Sequence, residues 1–442
     1  MPRLAVDRLV LHVVSLGLLA GLVLLSAQGL LFAVAAAAAA GLVAALVVLG
    51  PERLGTLLMV LAMFTAPQNS VRPIPSADIL TFSDVFVALA AGLLLPVMLA
   101  RRSRYPAGWL VGSVVVTVMV LVASLFAPDP LLSFFYGLRL PAALLALPLI
   151  FLAWRPSRRV IDVMAWAYVL GHCVSTVYAF YEGRALNNRY DGLTTHFNFF
   201  GISAVVATAL LLHLYHRTST SRRWLVWGAG LVVLVSVIMS GSRAAALVVL
   251  MMGLLYPLLE RSIASAYLLV VGAFAMVLTA DRLLVRFGSG SVFERLSGDA
   301  TTSYSDSLRT TALDTGFAKF ELHPFIGNGF DLQALDAHNI YLEVAIGVGV
   351  LGLIGHVMVL VTAIVPLVGR GELRRLAYVA FGYAAVGMLT NSLWDRFVWM
   401  GISLSLLAAA EGRRPPDDEP SPEEPVALGT ARRTRQPIAS AP

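Results

Sequence analysis

In 442 residues the chain has one cysteine, Cys173, and one lysine, Lys319, and only 13% of its positions are charged. A lone cysteine excludes an internal disulfide and any cysteine-based metal centre. No GxxxxGK loop occurs, which removes the usual ATP-binding device. The acidic residues of the predicted outer segments, Asp299, Asp306, Asp331 and Asp336, are too scattered to compose a metal site. No internal repeat is visible. The net charge of +6 sits at predicted membrane boundaries, where it sets topology and meets anionic headgroups, so no nucleic-acid partner is expected.

What the chain has is hydrocarbon. Apolar residues make up 58% of it and the mean hydropathy is +0.80, far outside the range of soluble domains. Apolar runs long enough to cross a bilayer of ~30 Å as helices recur throughout. They predict spans near 9–26, 30–50, 54–66, 79–100, 108–127, 131–153, 160–182, 196–216, 223–240, 243–260, 263–280, 338–366, 374–392 and 396–411. The expected fold is therefore an all-α polytopic membrane protein of about 12–14 transmembrane helices with one long external loop.

Short cytoplasmic loops collect arginine. With these spans, sixteen arginines between Arg3 and Arg375 fall on one side. The short loops of the other side hold Arg72, Arg184, Arg189, Arg243 and Arg396. Both termini then read as cytoplasmic, and the first span reads as an uncleaved anchor. The expected organisation is an N-terminal helical part (1–280), an external loop (281–337) carrying the chemistry, C-terminal helices (338–411) and a disordered cytoplasmic tail (412–442) rich in Pro, Arg and acidic residues.

Chemistry must come from the few polar outer segments. In GRALNNRYDGLTT, Arg184, Arg189, Tyr190 and Asp191 precede His196 and Asn198 at the mouth of a helix. They read either as an interfacial belt with a helix cap or as a ligand site. The turn SGSR leaves Arg243 in the first turn of its helix, where a guanidinium either snorkels to the surface or holds an anion. In the long loop, Ser305 or Asp306 can cap a helix running to about Leu322, with Leu313, Phe317 and Phe320 on its apolar face. Arg309 lies along that face and can take either a phosphate or a loop carboxylate.

Past that helix, Gly327-Asn328-Gly329 makes a turn, and Asp336-Ala337-His338-Asn339 leads into the next membrane helix. With a cap at Asp336 or a neighbour, His338 falls in the first helical turn, as a neutral proton acceptor or as an interfacial histidine. Arg139 stands some eight residues inside its predicted helix beside Pro141, facing a lipid phosphate or a carboxylate.

In order and spacing these features resemble the superfamily of O-antigen ligases and Wzy-type polymerases. The resemblance rests on SGSRAA at 240–245, an arginine-led loop helix at Arg309, HPFIGNGF at 323–330, HNIYLE at 338–343, and Gly347, Gly349 and Gly352 beyond. RYDGLTTHFN at 189–198 follows the family's Arg/Gly/Asn segment more loosely. Thr310, Thr311 and Ala312 stand where family members often carry a tryptophan, and Gly347 where an acidic residue is common.

The resemblance implies a glycosyltransferase of the bacterial cytoplasmic membrane, moving a glycan from a polyprenyl diphosphate carrier to an acceptor hydroxyl, on a lipid or another glycan, at the outer face. It implies no cofactor, nucleotide or metal, since the lipid-linked donor is itself the activated substrate. His338 would be the base or acceptor orienter, with Arg309 and Arg243 clamping the diphosphate. Arg189, Arg139, Asn339, Gly327, Gly329, His196 and Asn198 would serve substrate binding. Polymerase and ligase are not separated by these motifs, and a lipid-linked oligosaccharide flippase is the rival of a different class.

Overall fold

The computed structural model describes residues 30–74, 80–185, 188–287, 290–296, 300–331 and 337–411. The predicted first span, Asp299, Asp336 and the tail lie outside them. The described residues are helical, without strands, and eight of their helices are long and apolar enough to cross a membrane. In chain order the helices are α1 (Leu30–Leu49), α2 (Pro51–Thr65), α3 (Phe82–Ala100), α4 (Ala107–Phe126), α5 (Pro130–Trp154), α6 (Arg158–Glu182), α7 (Phe197–Arg217), α8 (Arg223–Ser240) and α9 (Arg243–Glu260). Then come α10 (Ile263–Phe287), α11 (Val292–Leu296), α12 (Ala300–Leu322), α13 (Ile340–Ile364), α14 (Ala377–Val386) and α15 (Arg396–Glu411).

Polar side chains gather at two opposite ends. At the basic end, Arg101 pairs with Glu52, Arg158 with Glu372 and Glu411, Arg217 with Asp162 and Glu372, and Arg375 with Glu260. At the loop end, Asn69 accepts from the Thr195 N–H, and Arg396 donates to Asp84 at 2.6 Å. The short helices α2, α14 and α15 run between these same ends. Although α15 is only 16 residues long, it is buried from Phe397 to Ala408. Protein rather than lipid surrounds it, so it need not match the full hydrocarbon thickness and can carry Ser403 and Ser405.

Two features shape the core. Helices α4 and α13 cross backbone on backbone: a Cβ on Gly355 would lie 2.8 Å from the Gly112 carbonyl. Helix α5 is interrupted by a π segment over Ala142–Ala146, between Pro141 and Pro148. Pro148 offers no N–H to the Leu144 carbonyl four residues earlier. Trp109 Nε1–H (2.8 Å) and the Ser113 hydroxyl (3.1 Å), both on α4, donate to it instead.

The loop helix begins earlier than its sequence signals indicate. Helix α12 starts at Ala300, not after a cap at Ser305 or Asp306, and ends at Leu322 as expected. Its Leu313 and Phe320 pack on Ala337, Leu342 and Ile346, with Gly316 against Leu342, while Phe317 turns outward.

Because the Leu144 carbonyl has no donor from Pro148, replacing both external donors should be costlier than either alone. Trp109→Phe with Ser113→Ala is expected to destabilise the protein by about 1–3 kcal/mol. Unfolding in mild detergent reads the loss, and a double variant no weaker than Ser113→Ala alone would contradict it.

Candidate functional site: an arginine cluster at the SGSR turn

Each residue of the Ser240-Gly241-Ser242-Arg243 turn has a separate task. The helix α8 ends here, and its last carbonyls face away from any helical partner. The Ser240 carbonyl accepts from Arg189 Nε at 2.7 Å, and the Gly241 carbonyl from Arg295 at 3.2 Å. Gly241 has φ +60°, and a Cβ there would run into the Gly290 carbonyl and stand 2.9 Å from Arg189 Nε. Only glycine fits. Ser242 caps α9, its hydroxyl accepting from the Ala245 N–H, and Arg243 is the first residue of that helix, as the sequence predicts.

The carbonyl end of α8 is negative and so draws both buried cations, Arg189 (4% exposed) and Arg295 (7%), beneath the turn. Arg189 is held further by Asn198 Oδ1 at 2.8 Å and by the Phe197 ring 3.4 Å from its guanidinium carbon. Asn198 therefore positions Arg189, and His196 is the cap of α7, its Nδ1 accepting from the Asn198 N–H. Of the two readings of His196, the cap is what its geometry displays.

Arg243 reaches up from α9 and Arg309 lies on the packed face of α12. Both guanidinium ends of Arg243 engage Asp306, one at 3.1 Å, which fastens the loop helix to the turn. Among the described residues Arg309 has no hydrogen bond or ion pair.

The cluster is electrostatically unbalanced. Burial, then repulsion from Arg295, Arg309 and Arg243, pulls the Arg189 pKa down to about 8. Burial, then Arg243, also lowers that of Arg309, against the attraction of Asp306. Arginine keeps its proton at neutral pH, so burial first and mutual repulsion second are costs of holding these charges here that a bound anion would offset. Against the four guanidiniums, Asp306 supplies its carboxylate to Arg243. The hydrogen bond from Arg243 holds the Asp306 carboxyl below its usual range. A depressed carboxyl contributes its ion pair above its unfolded pKa and loses it as pH falls through the folded one. The pair thus stays charged over pH 5–8.

The remaining sequence candidates sort differently. His338 is not in the first turn of α13. Asn339 is the cap, its Oδ1 accepting from the Tyr341 and Leu342 N–H groups, because a short Asx side chain reaches those donors directly. His338 precedes the cap, half-buried, with φ +51°. It stands next to Ala337, which touches Gly316 of α12, seven residues or about 10 Å along that helix from Arg309.

Gly327 and Gly329 pack their backbone against α13. Helix α13 breaks at Gly349 (φ +69°), and the 323–330 loop fits into the break. There Val350 N–H donates to the Pro324 carbonyl at 2.8 Å, and Gly329 N–H to the Gly347 carbonyl at 3.1 Å. A Cβ on Gly327 would run into the Gly347 carbonyl. Arg139 is away from the turn, among the rings of Tyr136, Trp394 and Phe135.

Sequence reasoning overlooked Arg295 and the Asp306 partner of Arg243. Neither has a local signature: Arg295 sits on the five-residue α11, and its place depends on the α8 carbonyl end fifty residues earlier.

Titration of the purified protein with inorganic diphosphate probes this balance. Arg309→Gln is expected to weaken binding roughly tenfold or more. Asp306→Asn, by releasing Arg243, should tighten it a few-fold, and high salt should weaken it in all forms. A weakening by Asp306→Asn would show that the carboxylate supports the anion rather than competing with it. Compared with known proteins, the chain matches no family model and no curated protein.

Proposed function

We propose that this protein is a membrane glycosyltransferase that moves a glycan from a polyprenyl diphosphate to an acceptor hydroxyl at the outer face of the bacterial cytoplasmic membrane. The observation that carries the reading is the arginine cluster, Arg189, Arg243, Arg295 and Arg309, with Asp306 paired to Arg243. A diphosphate on a lipid tail is an anion that such a cluster, at the loop end of a membrane bundle, is suited to hold.

The reaction breaks the bond between the sugar's anomeric carbon and the diphosphate oxygen, and forms one between that carbon and the acceptor oxygen. Negative charge grows on the departing diphosphate, and the guanidiniums oppose it where it grows. Arg189 and Arg295, fixed by backbone carbonyls, supply a rigid field. Arg309 and Arg243 ride on helices joined by Asp306 and supply the contact that a ligand adjusts.

The acceptor hydroxyl must lose a proton, and His338 is assigned to orient it or take the proton. The resemblance of HNIYLE and SGSRAA to the O-antigen ligase and Wzy-type polymerase superfamily supports this assignment. Its position before the cap leaves the ring at the loop-end surface rather than inside a helix.

Ligase and polymerase share this donor and differ in acceptor, so the host's glycans decide between them. In a strain deleted for the gene, long polymer left on the carrier at the outer face is expected of a ligase, and single repeats there of a polymerase. Single repeats trapped on the inner side would overturn the proposal in favour of transport. On restoring the gene, Arg309→Gln should cut transfer roughly 10²-fold or more. His338→Ala should cut it by about 10²-fold or more, and full activity would remove the base assignment.

A further inference from the structure

A second polar-apolar arrangement lies apart from the SGSR turn. Helices α3, α5 and α15 line an open-sided cavity of about 410 Å³. Val87, Ala142, Ala146, Leu147, Ile150 and Trp399 give it apolar walls. At its loop end, Arg139, Trp394 and Arg396 also wall a smaller chamber of about 140 Å³, whose other residues include Asn69, Arg72, Thr195 and Asp395. An apolar shaft and a polar room thus share a wall of two arginines and a tryptophan.

The hollow is written in the sequence of α5. Ala142 and Ala146 recur at i and i+4, so two small side chains leave space on this face of the helix, with Ile150 one turn further on. The π segment lies along the same stretch. Arg139 stands nine residues into α5, about 14 Å from its start, where an unmatched guanidinium is costly. Among the described residues it has no hydrogen bond and no carboxylate partner. Its charge rests on the rings of Tyr136 at 4.6 Å, Trp394 at 5.8 Å and Phe135 at 6.0 Å. Of the nearby carboxylates, Asp84 accepts from Arg396 and from Thr81, and Asp395 accepts from the Ser392 hydroxyl while attracting Arg139 across the chamber without a hydrogen bond to it.

We infer that the paired cavities bind one phosphate-headed membrane lipid, its alkyl chain in the shaft and its phosphate on Arg139. Each half matches a part of that molecule. The shaft falls within the usual range of ligand cavities, about 300–1,000 Å³, and its walls are apolar. The shared wall supplies the fork of donors that a phosphate takes. The chamber's neutral groups, Asn69 and Thr195, face the remainder of the head. Thr195 precedes the His196 cap of the segment that holds Arg189, so the lipid head would sit one loop away from the arginine cluster without sharing a residue with it.

The test reconstitutes the full-length protein in phosphatidylcholine nanodiscs with and without phosphatidylglycerol and counts retained lipid by native mass spectrometry. Parallel arms replace phosphatidylglycerol with a polyprenyl monophosphate or with inorganic phosphate. Wild type is expected to keep one phosphatidylglycerol or one polyprenyl phosphate, the arm retained naming the source, and inorganic phosphate alone should not bind the site. Arg139→Gln should reduce retention about tenfold. Ala146→Phe, which fills the shaft from an exposed position and changes no charge, should reduce it comparably with an unaltered melting temperature. In the phosphatidylglycerol arm Arg243→Gln, in the other cluster, should leave it unchanged. Equal retention by wild type and Ala146→Phe would overturn the proposal. So would loss of phosphatidylglycerol retention in Arg243→Gln, which would move the lipid to the SGSR turn.

Discussion

The loop-end architecture depends on two backbone carbonyls, those of Ser240 and Gly241, at the finish of α8. A helix must leave its last carbonyls unmatched, and in a membrane protein those groups need partners. Here the partners are Arg189 and Arg295, so one constraint solves two problems: the helix end is satisfied and two guanidiniums are carried below the surface in fixed positions. Gly241 makes this possible, since any side chain would collide with the Gly290 backbone and with Arg189. From that anchor the rest follows. Arg189 draws in Asn198 and Phe197, which order the start of α7, and Ser242 starts α9 with Arg243 in its first turn.

The two pairs of arginines differ in what holds them. Carbonyls fix Arg189 and Arg295 in place, and a carbonyl brings only a partial charge. Asp306 neutralises Arg243 but is itself half exposed and sits on the loop helix, so that pair depends on how α12 lies. An incoming polyanion would meet a rigid positive floor and an adjustable wall. Asp306 then has a second consequence: by occupying Arg243 when the site is empty, it limits repulsion among the four cations and keeps the loop helix docked.

Hydropathy revealed the eight membrane-length helices of the described residues, because the apolar pattern is written locally along each helix, while 54–66 and 396–411 form helices shorter than a membrane span. The position of Arg243 was legible too, since two adjoining spans leave room only for a tight turn. What was hidden depends on distant partners. The backbone of Gly327 and Gly329 fits against a break in α13 at Gly349 that no local pattern announces. The spacing of Gly347, Gly349 and Gly352 was the available signal, but close helix packing selects glycines at similar spacing, so the pattern does not single out a break. The start of α12 was misplaced because Thr301, Thr302 and Ser303 are weak helix formers, and Asp306 resembled a cap while serving as a counterion. His338 illustrates the same limit at the scale of one residue: Asn339, not Asp336, caps α13, and that shift moves the ring from the helix to its threshold.

Arg139 and the SGSR cluster show two ways of keeping guanidiniums near hydrocarbon. In the cluster, the cost is offset by hydrogen bonds to helix-end carbonyls and by the carboxylate of Asp306. For Arg139 it is offset by aromatic faces, which attract a cation yet, among the described residues, leave its five donors unused. A ring can hold a charge in place but cannot take its N–H groups, so a stacked arginine stays ready for an acceptor in a way that a salt-bridged one does not. This places the more rigid charges where a diphosphate would need a fixed field, and the less committed one in the wall of an apolar shaft. The distinction follows from which partners each arginine has, not from how deep it lies.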